Sequence, residues 1–176
     1  TKYGLGGSIW SKNIKKAEKL AHKIYTGAVF INEMTKSDTA ARKGIDNTPT
    51  ETHKESMKLL VDKVLQPVRD HFAKSVRVTS GYRSEELCEA IGSSKTSQHA
   101  KGEAADFEIT GIDNKELAEY IIDNLDFDQI ILEFYKDGDP NSGWVHCSYK
   151  LHGNRKQVLR ASRVDGKTHY THGLTL

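Results

Sequence analysis

The sequence predicts an α+β domain, with helices first and a mostly antiparallel sheet after. Three observations carry this. Met57, Leu60, Val61, Val64, Val68 and Phe72 fall on one helical face, which predicts a long amphipathic helix. Residues 129–134 and 144–149 are strand-like runs joined by a polar loop containing Gly138, Pro140 and Gly143. Asp165-Gly166 lies between two extended runs and is a hairpin signal. Helices in one part of the chain and antiparallel strands in another are the pattern of an α+β architecture.

In chain order, residues 7–10 read as a short strand. Ser11 is placed to cap a helix whose apolar stripe is Ile14, Ala17, Ala21 and Ile24 and which Gly27 ends. Residues 28–31 follow as a strand, so residues 7–31 predict a βαβ-like fragment ahead of the main domain. Residues 35–50, with Asp38, Arg42, Gly44, Asp46, Asn47 and Pro49, predict an irregular connection. Thr52 and Glu55 have capping-box spacing at the start of the long helix, and Pro67 inside it predicts a kink. Residues 76–79 alternate like a strand and lead into Ser80-Gly81-Tyr82-Arg83. Ser84, followed by Glu85 and Glu86, opens a short helix that Gly92 ends. Residues 104–109 form a strand. Asp113 and Glu116 cap a helix over 115–123 that turns Leu117, Tyr120 and Ile121 to the core.

The chain has 176 residues, of which 36% are hydrophobic and 28% charged, the composition of a soluble globular protein. No apolar run approaches the ~20 residues of a membrane span. No signal-peptide pattern opens the sequence, so synthesis in the cytoplasm is expected. A net charge of +2 is too small to argue for a nucleic-acid partner, yet does not oppose anionic polymers. Cys88 and Cys147 lie far apart with no CxxC and are expected as reduced thiols.

The chemistry concentrates in Ser97-Gln98-His99-Ala100-Lys101-Gly102-Glu103-Ala104-Ala105-Asp106. His99 sits on a loop entering the strand in which Ala104 and Asp106 share a face, so imidazole and carboxylate converge. Nitrogen and oxygen donors suit zinc. Of eight histidines, His22, His53 and His71 belong to helices and are expected to face solvent; His152, His169 and His172 lie near the C-terminus. His146 stands on a strand whose alternation puts Trp144, His146 and Ser148 on one face. His99, Asp106 and His146 together leave a fourth tetrahedral position open, the arrangement of a catalytic rather than a structural site.

This pattern resembles the D-alanyl-D-alanine carboxypeptidase family of zinc peptidases, which shares its fold with the hedgehog signalling domain. The motif S-x-H-x-x-G-x-A-x-D is matched by Ser97, His99, Gly102, Ala104 and Asp106. The later histidine is matched by His146 in a WVH context, and Ser80-Gly81-Tyr82-Arg83 matches a preceding signature. The resemblance runs from about Glu33 to near the C-terminus and looks nearest to a phage and prophage branch. It implies one Zn2+ per chain held by His99, Asp106 and His146. Several family members place an acid three residues before the last histidine, where this chain has Gly143.

Glu133 is the best substitute for that acid. If Phe134 pairs with Gly143, then Ile131 pairs with His146 and Glu133 with Trp144, leaving Glu133 diagonal to His146 at ~7 Å. The alternative for Glu133 is a strand-end salt bridge or an orienter of a metal ligand, and Asp137 and Asp139 are weaker candidates. Arg83 is expected to bind a peptide carboxylate or polarise the scissile carbonyl, or else to form a structural salt bridge. Ser97 and Gln98 flank a ligand and bind either substrate or the metal's supporting groups. Trp144 is either core or a wall of the cleft.

The expected function is a zinc metallopeptidase cleaving peptidoglycan stem peptides, as a D,D-carboxypeptidase or an endopeptidase of the phage endolysin kind, acting on the cell wall as a monomer. The competing reading keeps the metal without catalysis, as a zinc-stabilised binding or phage structural module. Separately, YGLGGSIWSKNIKKAEKLAHKIYTGAVFIN resembles a piece of the aldehyde dehydrogenase catalytic domain, without that family's nucleophile or nucleotide-binding half. A chimera is therefore expected, with residues 1–38 a non-functional fragment and 39–176 the peptidase domain.

Overall fold

The computed structural model describes residues 7–9, 15, 16, 20, 29–31 and 38–175. Strands β1 (Gly7–Ile9) and β2 (Val29–Ile31) pair in parallel, Gly7 with Val29. Between them only Lys15, Lys16 and Leu20 are described, all helical. The expected Ser11 cap, apolar stripe and Gly27 stop lie outside the described residues.

The connection expected to be irregular contains a short helix, α1 (Asp38–Lys43), in which Arg42 donates to the Thr39 hydroxyl at 3.2 Å. The long helix starts two residues earlier than the Thr52–Glu55 spacing implies. Thr50 is the N-cap of α2 (Glu51–Leu60), and its hydroxyl accepts from the His53 backbone N–H at 3.3 Å. The other half of the box comes from His53, whose Nδ1 accepts from the Thr50 N–H at 3.3 Å. His53 is therefore half-buried against Tyr82 rather than facing solvent, with ring centroids 4.8 Å apart. A π-helical turn (Val61–Leu65) then carries the chain into α3 (Gln66–Phe72). There the Gln66 N–H reaches back five residues to the Val61 carbonyl. The wide turn sits where the Pro67 ring would press on the preceding turn, so this helix absorbs the proline by local widening.

Strands β3 (Val76–Ser80), β4 (Ala104–Ile109), β5 (Gln129–Glu133), β6 (Trp144–Ser148), β7 (Gln157–Val164) and β8 (Lys167–His172) form one sheet in the order β3-β4-β6-β5-β7-β8. Every neighbouring pair is antiparallel except β5 and β7. The β7–β8 hairpin turns at Asp165 and Gly166, both at positive φ, as their sequence signal predicts. Helix α4 (Glu85–Ala90) is capped by Ser84, and α5 (Asn114–Asn124) by Asp113.

Strand alternation divides the sheet into two faces. Ala105, Phe107 and Ile109 on β4, Ile130 and Leu132 on β5, and Val145 and Cys147 on β6 are buried against Met57, Leu60, Val64 and Val68 of the long helix and Leu117 and Ile121 of α5. Both thiols are free and buried. The opposite face carries Asp106, Glu133, Trp144 and His146.

Two buried charges fix the loops around this second face. Arg160, 1% exposed, donates to Asp137, to the Tyr135 carbonyl at 3.0 Å and to the Leu174 carbonyl at 2.9 Å. Asp128 is wholly buried and accepts from Gln98 at 2.9 Å, Arg155 at 2.6 Å and Lys150 at 2.8 Å. Burial alone would raise the Asp128 pKa, but these hydrogen bonds hold it well below the usual carboxylate range. A depressed folded-state pKa gives stability that is present above about pH 4 and lost as pH falls below it. Asp128→Ala is expected to lower stability by about 2 kcal/mol at pH 7, read by chemical denaturation, with the deficit shrinking in acid.

Candidate metal centre

His99 lies in a 3-10 turn (Gln98–Lys101) on the connection that enters β4. The Ser97 hydroxyl caps this turn by accepting the His99 N–H at 3.3 Å. Gly102 ends it at φ +71°, where a Cβ would stand 2.5 Å from the His53 carbonyl oxygen. A residue without a side chain is thus required where the turn lies against α2.

The strands bring the other two ligands to it. Asp106 pairs directly with His146 across β4 and β6, which sets both side chains on one face. The His99 Nε2 lies 3.2 Å from Asp106 Oδ1 and 3.2 Å from His146 Nδ1, and His146 Nδ1 lies 2.8 Å from Asp106 Oδ1. One ligand atom from each residue lies within 4.8 Å of the other two, and all three residues are buried.

The donor chemistry fits a cation. His99 Nδ1 donates to the Gly81 carbonyl at 2.7 Å, which fixes the tautomer and turns the Nε2 lone pair inward. Burial pushes the His99 pKa down, against the pull of Asp106, and so favours the neutral imidazole a metal requires. Burial would raise the Asp106 pKa, but the two imidazoles beside it, His146 first, hold it far below the carboxylate range. An ionised carboxylate and an inward lone pair thus meet a second imidazole at one point. Two nitrogens and one oxygen are a zinc-compatible set.

Arg83 faces the other side of the same carboxylate. Its Nη1 lies 3.5 Å from Asp106 Oδ2 and donates to the Ser80 hydroxyl at 2.9 Å, while its backbone N–H donates to the His99 carbonyl at 3.2 Å. Its Nε–H is buried without a partner among the described residues. Gln98 points away from the ligands to Asp128. That buried acid, just before β5 and thirty residues from Gln98, went unnoticed in the sequence; its only signal there is a charge at the head of an apolar strand.

The register of β5 and β6 is the one the alternation predicts, with Ile131 opposite His146 and Glu133 opposite Trp144. The Glu133 carboxylate makes no hydrogen bond to any described residue. Burial, then the nearby Asp106 charge, pushes its pKa up to about 6. Asp137 is paired with Arg160 and Asp139 accepts the Asn141 N–H, so both are engaged in the loop. Trp144 packs edge-on against Phe134, with ring centroids 5.3 Å apart and the indole N–H without a partner among the described residues.

Gly143 occupies the place where the resemblance implies an acid, and the structure gives the reason for its identity. It sits at φ +65°, and a Cβ would overlap the Glu133 carbonyl oxygen and stand 2.7 Å from the Tyr135 nitrogen. Asn114 holds it there by donating to the Ser142 and Gly143 carbonyls at 3.1 and 3.2 Å. No side chain of any kind fits.

Comparison with protein families matches residues 28–148 to Peptidase M15. The chain belongs to that family. M15 peptidases are zinc-dependent, and the buried His99, Asp106 and His146 are the group in this member that suits the ion. A stretch of 36 residues is 56% identical to a probable succinate-semialdehyde dehydrogenase (NADP(+)) of Synechocystis sp. (strain ATCC 27184 / PCC 6803 / Kazusa). That stretch is 20% of this chain and 8% of the dehydrogenase, so the chain spans only a small part of that relative.

His99→Ala and Asp106→Ala are each expected to lower zinc affinity at least ~100-fold, measured by competition with a chromophoric chelator. Gly143→Asp is expected to disrupt the hairpin rather than add a working carboxylate, seen as a lowered melting temperature.

Proposed function

We propose that this M15 peptidase is a zinc-dependent hydrolase of peptide bonds in peptidoglycan stem peptides, a D,D-carboxypeptidase or endopeptidase of the endolysin type encoded by a phage or prophage. The observation that carries the reading is the convergence of His99, Asp106 and His146 at one buried point, with the Glu133 carboxylate, unpaired among the described residues, diagonal to His146 on the same face. When bound by these three residues, zinc supplies positive charge for polarising a carbonyl and acidifying water.

The chain's own residues supply the rest. Glu133 takes the proton of the attacking water on a carboxylate oxygen and delivers it to the leaving amine. Arg83, anchored by Ser80 and Asp106, turns its remaining N–H groups to a peptide carboxylate or carbonyl oxygen. Trp144 walls the cleft beside Glu133. Ser97 and Gln98 serve through position: one caps the turn carrying His99 and the other ties it to Asp128. The enzyme works as a monomer with one Zn2+. Residues 39–176 form the peptidase, and residues 1–38 are a dehydrogenase-like fragment joined to it.

The second reading, a zinc-stabilised binding or structural module, draws on Gly143. Purified peptidoglycan discriminates the two: release of new amino groups, stopped by a chelator and restored by zinc, belongs to the peptidase alone. Mass spectrometry of the muropeptides then identifies the bond cut.

Glu133→Gln is expected to lower kcat at least ~100-fold while leaving zinc content unchanged. A base acts in its ionised form, so kcat/KM should fall as pH drops through about 6, the value to which Glu133 is raised. Removing residues 1–28 is expected to leave amine release intact; loss of folding in that truncation would contradict the division at residue 38.

A further inference from the structure

One strained residue on this face is not used by the chemistry above. Phe134, directly after Glu133, has φ +54°, in the left-handed region that glycine and asparagine enter more readily. Its backbone N–H still donates to the Ala161 carbonyl at 2.9 Å, so the ladder between β5 and β7 continues through it.

The consequence is a change of phase along the chain. Glu133 is on the site face, so strict alternation would send Phe134 to the helix-covered face and Tyr135 back to the site. The contacts are the reverse. The Phe134 ring packs on Trp144, which pairs with Glu133, and under the guanidinium of Arg163, whose Cζ is 5.1 Å from the ring centroid. Arg163 shares a face with Ala161, the β7 partner of Glu133. Tyr135 instead joins the hydrophobic core. One left-handed residue therefore re-aims an aromatic ring onto the site face, the effect of a β-bulge. A kink alone is met by glycine or asparagine with less strain; what phenylalanine adds is the ring. Phe134 and Trp144 are both half-exposed, and Arg163 is exposed.

We propose that Phe134 is a specificity-determining residue of this site: its re-aimed ring, with Trp144, is the wall against which an uncharged aliphatic side chain next to the scissile bond packs, with Arg163 disfavouring a cationic one. The proposal deepens the peptidase reading and rests on it. Aromatic faces bind aliphatic groups by area and dispersion, and a guanidinium over the ring places positive charge at the same spot.

The test uses the full-length zinc-loaded protein and two synthetic peptides. Both span the bond identified in muropeptide digests and differ only in having alanine or lysine beside it. Wild type is expected to prefer alanine. Phe134→Asn, which accepts the left-handed backbone but removes the ring, is expected to raise KM for the alanine peptide about tenfold. Its kcat should stay within about twofold and its preference over lysine should collapse. Phe134→Tyr keeps the ring and should behave as wild type. If Phe134→Asn does not fold, Phe134→Gly accepts the same backbone and reads the same quantity.

Unchanged KM and preference in the ring-deleted variant overturns the proposal. So does a fall in kcat together with zinc content at constant KM, which would make Phe134 a support of the metal centre. No cleavage by wild type would instead overturn the peptidase reading, and this proposal with it.

Discussion

The Asp106 carboxylate is where the constraints of this fold meet. One oxygen lies within hydrogen-bond distance of His99 and His146, and the other faces Arg83. Three separate stretches of chain are thus tied to a single side chain in the middle of the sheet. Asp106 can hold them because its neighbours Ala105 and Phe107 are locked into the core on the opposite face. A slip of one residue in β4 would bury the carboxylate among Leu and Ile and expose the phenylalanine. The hydrophobic core and the metal centre are therefore two faces of one register, specified by the same alternation.

Around this centre the supports are buried and polar. Asp128 gathers the turn that carries His99, the loop after β6 and the approach to β7 through Gln98, Lys150 and Arg155. Arg160 fastens the 134–143 loop to the C-terminal segment, and Asn114 fastens the last residues of that loop to α5. Side chains that act on a substrate must be held closely, and here the buried Asp128 and Arg160 each hold several segments through more than one hydrogen bond.

Much of this was legible in the chain, and the physical reason is local. Alternation is a two-residue rule, so the pairings of Ile131 with His146 and of Glu133 with Trp144 followed once the loop between β5 and β6 was recognised. Ser84, Asp113 and Asp165-Gly166 act through their immediate neighbours and were equally readable. What escaped depends on long-range or atypical partners. Histidine is an unusual second member of a capping box, which hid the Thr50 cap. Gln98 stays open between substrate and the metal's supporting groups in the sequence because Asp128, its partner, is thirty residues away. Pro67 signals a distortion, but a kink and a widened turn both relieve its clash, and the sequence does not choose between them. The direction of Phe134 was hidden because one left-handed residue breaks the alternation on which the rest relies.

Cys147 stands between His146 and Ser148 with its thiol wholly buried on the core side of the sheet, where desolvation drives its pKa upward. A thiol in that state is inert to alkylating reagents until the strand behind the metal centre opens. The chain thus carries its own reporter: the rate at which Cys147 becomes reactive measures the opening of the central strand, and any ligand that tightens His146 and Asp106 from the front slows a labelling reaction at the back.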